Sequence, residues 1–292
     1  SLPASKSLVN RWQILAAHFD GLELQYSTQA QDVEYLSAAL SDFRNGKKEF
    51  FVGKGGTTFR FLALFLSRFE GQYKIDLDPQ LCARSHLALT DALAQLGVGF
   101  EFRESSFIIQ SSGWKASRIR VNTDTTTQVL SAVLLNCWNL PQEFICEFTL
   151  PGLSRDYFQM TLDVLAEAGL VIGALEDSAR ASNLNELMRV SISSGQVAKA
   201  RKYLVECDVS SAFTVAAMAV AGGRAEISDF PFSSRQPDLA FISIMKKMGA
   251  DISRQGSKLV VNKASVLNSI EVDLSNCPDL FPVLAALCTL AD

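Results

Sequence analysis

A long, degenerate repeat limits what this chain can fold into more than any other feature. Apolar helices are expected at Leu8–Phe19, Phe59–Phe69, Val129–Leu140, Ala212–Ala221 and Leu280–Ala291. They are hydrophobic nearly all round, which in a water-soluble chain requires burial on every side. A second, amphipathic helix follows four of them, at Val33–Phe43, Ser85–Leu96, Phe158–Ala168 and Leu239–Met248. Three of these run into Gly97, Gly169 and Gly249, the residue type that ends helices in a left-handed turn. Strand-like runs lie between, such as Gly99–Phe102 and Lys258–Val261. The pattern predicts an α/β (α+β) architecture with helices inside and sheets outside. Its period is longer than that of solenoid repeats, so closed domains are expected. A boundary is expected near Leu204–Glu206, giving one domain over residues 6–205 and a second, incomplete one over 206–292 plus 1–5.

Each apolar helix is preceded by groups suited to a helix N-terminus. These are Ser5-Lys6-Ser7, Gly55-Gly56-Thr57-Thr58, Thr125-Thr126-Thr127-Gln128, Asp208-Val209-Ser210-Ser211 and Ser275-Asn276-Cys277-Pro278-Asp279. Free N–H groups and the positive dipole end favour anions there, while glycine allows close approach. Plain capping explains any single cluster equally well. Recurrence argues for more, as do the nearby cations Lys6, Arg11, Arg60 and Arg84. Arg11 and Arg60 fall inside apolar helices. A buried arginine needs an anion or a full set of hydrogen bonds, and Asp32 and Asp76 are the candidate internal partners.

Other chemistries fit less well. The net charge is −4, and no Lys/Arg run offers a nucleic-acid face. Cys82, Cys137, Cys146, Cys207, Cys277 and Cys288 form no C-x-x-C pair and read as reduced core residues of a cytoplasmic protein. His18 and His86, the two histidines, have no ligand-like neighbour at helical spacing. There is no secretory signal, no nucleophile elbow, no Walker sequence and no apolar run long enough to span a bilayer.

Taken in order, the clusters resemble the EPSP synthase family of enolpyruvyl transferases. Leu2-Pro3-Ala4-Ser5-Lys6-Ser7 with Asn10-Arg11 looks like the family's L-P-G-S-K-S…N-R. Gly56-Thr57-Thr58-Phe59-Arg60 is similar to G-T-A-M-R, and Arg84 through Asp91-Ala92-Leu93 to R-P…D-A-L. Thr126-Thr127-Gln128 stands for S-S-Q, Ser154-Arg155-Asp156-Tyr157 for S-K-x-Y, and Val205–Ala212 for V-E-G-D-x-S-S-A. Gln236 and Asp238 match Q-x-D, and Pro278-Asp279 matches a late P-D. Each motif alone is weak; eight in the family's order are specific.

The resemblance implies two domains of βαβαββ units with buried parallel helices, three units in the first domain. It implies transfer of enolpyruvyl from phosphoenolpyruvate to the 5-hydroxyl of shikimate-3-phosphate, without metal or organic cofactor, by a monomer. Shikimate-3-phosphate would be held by Lys6, Ser7, Arg11, Thr126, Thr127, Gln128, Ser154, Tyr157 and Asp279. Phosphoenolpyruvate would be held by Lys6, Gly56, Arg84 and Gln128. Asp279 would be the general base and Lys6 would steady developing charge; without the resemblance, Pro278-Asp279 reads as a cap. Departures include Lys54 for asparagine, and Phe61 and Ser85 for proline. The family continues with K-E-[ST]-D-R beyond the position of Asp292, so a missing C-terminal part and impaired catalysis are expected of this chain alone. Two alternatives stand beside the main reading: a non-catalytic family member, and the enolpyruvyl transferase that acts on UDP-N-acetylglucosamine. The latter's opening and reactive cysteine match Lys6-Ser7 and Cys82 less well.

Overall fold

A computed structural model describes residues 2–149, 155–173, 176–177 and 187–292. The chain forms two compact units, residues 6–204 and residues 205–292 with 1–5.

The larger unit runs α1 (Lys6–His18), β1 (Leu22–Gln25), α2 (Gln31–Arg44), β2 (Glu49–Phe51), α3 (Gly56–Leu66), β3 (Gly71–Asp76), α4 (Pro79–Cys82), α5 (Leu87–Gln95), β4 (Gly99–Arg103) and β5 (Ser106–Ser111). It continues with β6 (Arg118–Val121), α6 (Gln128–Cys137), β7 (Phe144–Thr149), α7 (Arg155–Glu167), β8 (Glu176–Asp177), β9 (Leu187–Ile192) and β10 (Arg201–Leu204). The apolar helices α1, α3 and α6 pack on one another. Every residue from Thr58 to Leu66 in α3, and from Val129 to Cys137 in α6, is buried. Two four-stranded sheets, ordered β2-β3-β5-β4 and β6-β7-β9-β8, each begin with a parallel pair and add an antiparallel hairpin. Their register sets apolar residues opposite each other on the buried face: Phe144 faces Ile192, Cys146 faces Val190 and Phe148 faces Met188.

The first unit of the repeat differs from the expected βαβαββ pattern. β1 pairs in parallel with β10 in a sheet of two strands among the described residues. Only Asn45–Lys48 separate α2 from β2, too few residues for the hairpin that the other two units carry.

Helix ends follow the chemistry of their residues. Gly97, Gly169 and Gly249 have φ of 74°, 80° and 87°. At each, the glycine N–H and the next N–H bond back to carbonyls three and five residues earlier, as in Gly97 to Ala94 and Val98 to Leu93. Any side chain at these positions would strain the left-handed backbone.

The smaller unit holds α8 (Val209–Gly222), β11 (Arg224–Ile227), α9 (Phe241–Lys247), β12 (Ile252–Gln255), β13 (Lys258–Asn262) and α10 (Phe281–Cys288). The sheet is antiparallel, in the order β11-β13-β12. Phe213, Phe241, Met245 and Val261 lie at the centre of its core. The segment at Cys207 bridges antiparallel to Ala4, which ties residues 2–5 into this unit. Among the described residues, no helix is long and apolar enough to cross a membrane.

Candidate anion-binding site

In the larger unit the helix starts begin inside the polar clusters: α3 opens at Gly56 and α6 at Gln128, earlier than apolar periodicity placed them. Arg60, one turn into α3, is buried. Its Nη1 donates to Gln128 Oε1 at 2.5 Å, and its Nη2 reaches the Ser85 carbonyl at 3.5 Å. A Cβ added to Gly56 would stand 2.7 Å from Arg60 Nη1 and 3.5 Å from both Arg84 Nη1 and Gln128 Oε1. Gly56, Arg60, Arg84 and Gln128, from three parts of the sequence, therefore meet at one helix start, and a side chain at position 56 would close the space between them.

Among the described residues, no carboxylate balances the charge of this cluster. Arg84 is exposed, and its side chain has no hydrogen-bond or ion-pair partner among the described residues. Arg60 has two neutral acceptors and no carboxylate. Burial, and behind it the charge of Arg84, pushes the Arg60 guanidinium below its ordinary value. Two guanidiniums that repel each other, one of them desolvated, beside free helix N–H groups make an arrangement that an anion stabilises. The expected pairing of Arg11 or Arg60 with Asp32 or Asp76 does not form. Asp32 binds Lys6 at 3.2 Å and Asp76 binds Lys74 at 3.1 Å.

Lys6 reaches the same helix start through Asp32. A Cβ on Gly55 would lie 2.5 Å from Asp32 Oδ1, and Thr58 Oγ1 donates to the Asp32 carbonyl at 3.0 Å. The opening cluster and the Gly55-Gly56 cluster are thus joined by one carboxylate, with the Lys6 side chain half exposed.

Arg11 is 3% exposed and fully engaged by neutral acceptors. Nε donates to Thr161 Oγ1, Nη1 to the Ser7 carbonyl and Nη2 to the Tyr157 carbonyl, each at 2.9 Å. Thr161 in turn donates a hydrogen bond to Ser131 Oγ at 2.8 Å, so one buried polar chain joins α1, α7 and α6. Burial lowers the Arg11 pKa to about 10. The guanidinium fixes the backbone at Ser7 and Tyr157. Those two residues are half buried. Thr126 Oγ1 accepts from the Gln128 N–H at 3.2 Å, and Thr127 is buried at 2% exposure. Ser154 lies outside the described residues. His18 is a core histidine: Nε2 meets Asn136 Oδ1 at 2.7 Å, the ring packs on Phe65, and burial lowers its pKa to about 4.

In the smaller unit, Asp208 caps α8 by accepting from Ser211 N–H at 2.8 Å and from its hydroxyl at 2.6 Å. Gln236 accepts from Val209 N–H at 3.0 Å and donates to Glu206 Oε1 at 2.8 Å. Asp238 is 2% exposed; Ser210 donates to one carboxyl oxygen, and the other is buried without a partner among the described residues. Burial raises its pKa to about 6, helped by the charges of Asp279 and Asp208 against the Ser210 hydrogen bond. Asp279 is exposed in the turn Pro278–Leu280 before α10, close enough for its charge to act on Asp238. In sequence, Asp238 was visible as half of the Gln236-x-Asp238 spacing, and Arg60 as a cation in an apolar helix at the end of the Gly56–Arg60 motif.

The raised carboxyl makes stability depend on pH. The folded state holds the Asp238 proton more tightly than the unfolded chain, whose value is 3.8. The contribution is therefore full below about pH 4 and lost as pH rises through about 6. Asp238→Asn is expected to gain about 3 kcal/mol over wild type at neutral pH and nothing below about pH 4. Urea midpoints at the two pH values check the sign.

Residues 15–292 match the family model of EPSP synthase (3-phosphoshikimate 1-carboxyvinyltransferase). A 3-phosphoshikimate 1-carboxyvinyltransferase of Nostoc punctiforme is 27% identical, the match covering 99% of this chain and 72% of the relative. One from Methanobrevibacter smithii is 32% identical over 82% of this chain and 57% of its own length. Among solved structures, an EPSP synthase of Acinetobacter baumannii superposes with a TM-score of 0.71 at 18% identity, covering all of this chain and 71% of that one. The enolpyruvyl transferase NikO of Streptomyces tendae gives the same TM-score at 15% identity. The two structures share the fold; the sequence matches carry the relationship.

Proposed function

This chain belongs to the EPSP synthase family, a family of transferases, and from that premise we propose that its Gly56 helix start binds phosphoenolpyruvate as the enolpyruvyl donor. The observation that carries the proposal is the unbalanced pair Arg60–Arg84 meeting Gly56 and Gln128. Phosphoenolpyruvate brings a carboxylate and a phosphate, enough negative charge to satisfy both guanidiniums. A bidentate fork suits either group, and the α3 N–H groups add neutral donors.

In this reading the acceptor is shikimate-3-phosphate. Its 5-hydroxyl adds to C2 of phosphoenolpyruvate while C3 takes a proton. The tetrahedral adduct then loses phosphate and the C3 proton, leaving the enolpyruvyl ether. Arg60, Arg84, Gly56 and Gln128 hold the donor, and Lys6 steadies charge as the adduct forms. Ser7, Thr126, Thr127, Ser154 and Tyr157 serve the acceptor, with Arg11 setting the backbone of Ser7 and Tyr157. Asp279 takes the hydroxyl proton as general base. The protein works as a cytoplasmic monomer, which its six cysteines, none of them in a disulfide, suit.

Phosphate release tests the acceptor. With phosphoenolpyruvate present, shikimate-3-phosphate is expected to support release and UDP-N-acetylglucosamine is not. Release with the nucleotide sugar alone sinks the assignment.

A further inference from the structure

His86 follows Arg84 by two residues and is 8% exposed. Its Nε2 lies 2.9 Å from the Leu81 carbonyl. A carbonyl only accepts, so Nε2 carries the hydrogen, and in the neutral ring Nδ1 keeps a lone pair. That Nδ1 is buried and has no partner among the described residues. The ring is clamped on both sides. It meets Phe59 of α3 edge-on at 5.0 Å and stacks on Phe102 of β4 at 5.5 Å. Phe59 immediately precedes Arg60, and the Ser85 carbonyl beside His86 receives Arg60 Nη2. The imidazole thus ties the turn bearing Arg84 to the helix bearing Arg60.

A buried acceptor without a donor needs an explanation, because leaving it unmade forfeits what water would supply. The cations whose fields reach this ring are Arg60 and Arg84; behind burial, both hold it in the neutral form. Arg84 has every side-chain N–H unused among the described residues, and Arg60 Nη2 makes only a 3.5 Å contact. Donors that Nδ1 lacks are therefore carried by two side chains of the same cluster, Arg84 two residues before His86 and Arg60 at the Ser85 carbonyl, and an anion at Gly56 would engage both.

Building on the assignment of this site to phosphoenolpyruvate, we propose that His86 is a positioning residue for the arginine pair, its Nδ1 accepting a guanidinium N–H once the anion is bound. The histidine would then set where the forks point without touching the ligand. A bulky apolar residue would fill the same box but leave the guanidinium unheld. Glutamine can offer both an N–H to the Leu81 carbonyl and an acceptor oxygen.

Nitrogen NMR of ¹⁵N-histidine-labelled wild type reads Nδ1 directly, and with two histidines in the chain His86→Gln assigns the signal. Saturating phosphoenolpyruvate is expected to move the His86 Nδ1 resonance from that of a free lone pair toward that of a hydrogen-bonded one. By calorimetry, His86→Phe is expected to weaken phosphoenolpyruvate binding about tenfold, and His86→Gln to recover to within about threefold of wild type. An Nδ1 signal unmoved at saturation, or His86→Phe binding like wild type, overturns the proposal. If His86→Phe does not fold, the wild-type spectrum decides. Undiminished binding by Arg84→Ala would instead remove the donor-site assignment on which this rests; lost binding in Arg84→Ala with a silent Nδ1 removes the role of His86 alone.

Discussion

Arg84→Ala is expected to weaken phosphoenolpyruvate binding by about 2–5 kcal/mol, between roughly thirty and several thousand fold, with no change in thermal unfolding. Both halves follow from one observation. The side chain is exposed and makes no hydrogen bond or ion pair among the described residues, so the fold loses nothing with it. Its Nη1 nevertheless stands next to Gly56, where a ligand oxygen would receive it. A lowered melting temperature with unchanged binding would make Arg84 a structural residue. Calorimetric titration beside a melting curve separates the two.

Arg11→Ala is expected to do the reverse. Removing this guanidinium takes one hydrogen bond each from the Ser7 and Tyr157 carbonyls and from the Thr161 hydroxyl, which keeps its bond to Ser131, and it leaves a cavity where the buried side chain packed. At about 1 kcal/mol for each lost hydrogen bond, plus the lost packing, a loss of about 3–5 kcal/mol is expected. The denaturant midpoint should fall sharply. Arg11→Lys should recover little, because one ammonium cannot reach acceptors on α1 and α7 in three directions. An Arg11→Ala protein as stable as wild type would show that the chain from Arg11 through Thr161 to Ser131 is dispensable.

The contrast between these arginines shows what the sequence could reveal. Arg84 sits in a short turn between helices, and the sequence marked it through the stretch from Arg84 to Asp91-Ala92-Leu93 that resembles the family's R-P…D-A-L. Arg11 and Arg60 look alike in sequence, each four or five residues into an apolar helix. Their fates are decided by acceptors 25 to 150 residues away, at Thr161, Tyr157, Gln128 and Ser85. No local pattern reports that. The buried helices and the glycine stops at positions 97, 169 and 249 were legible because periodicity and backbone handedness are local properties. The helix starts at Gly56 and Gln128 were placed late because apolar periodicity cannot see a turn built from Gly and Gln. The missing hairpin of the first unit was overlooked, though the four residues between α2 and β2 leave no room for it. Asp32 illustrates the remaining gap: it was available to any cation, and only the fold gives it to Lys6.

The central claim is that an unbalanced arginine pair at the Gly56 helix start binds the enolpyruvyl donor. Calorimetric titration of phosphoenolpyruvate into the wild-type chain, with shikimate-3-phosphate present, tests it most directly when repeated on the Arg60→Met, Arg84→Ala double variant. One saturable site per chain, weakened progressively by added salt and absent from the double variant, is the predicted result. No binding to the wild-type chain, or equal binding by the double variant, would contradict the account.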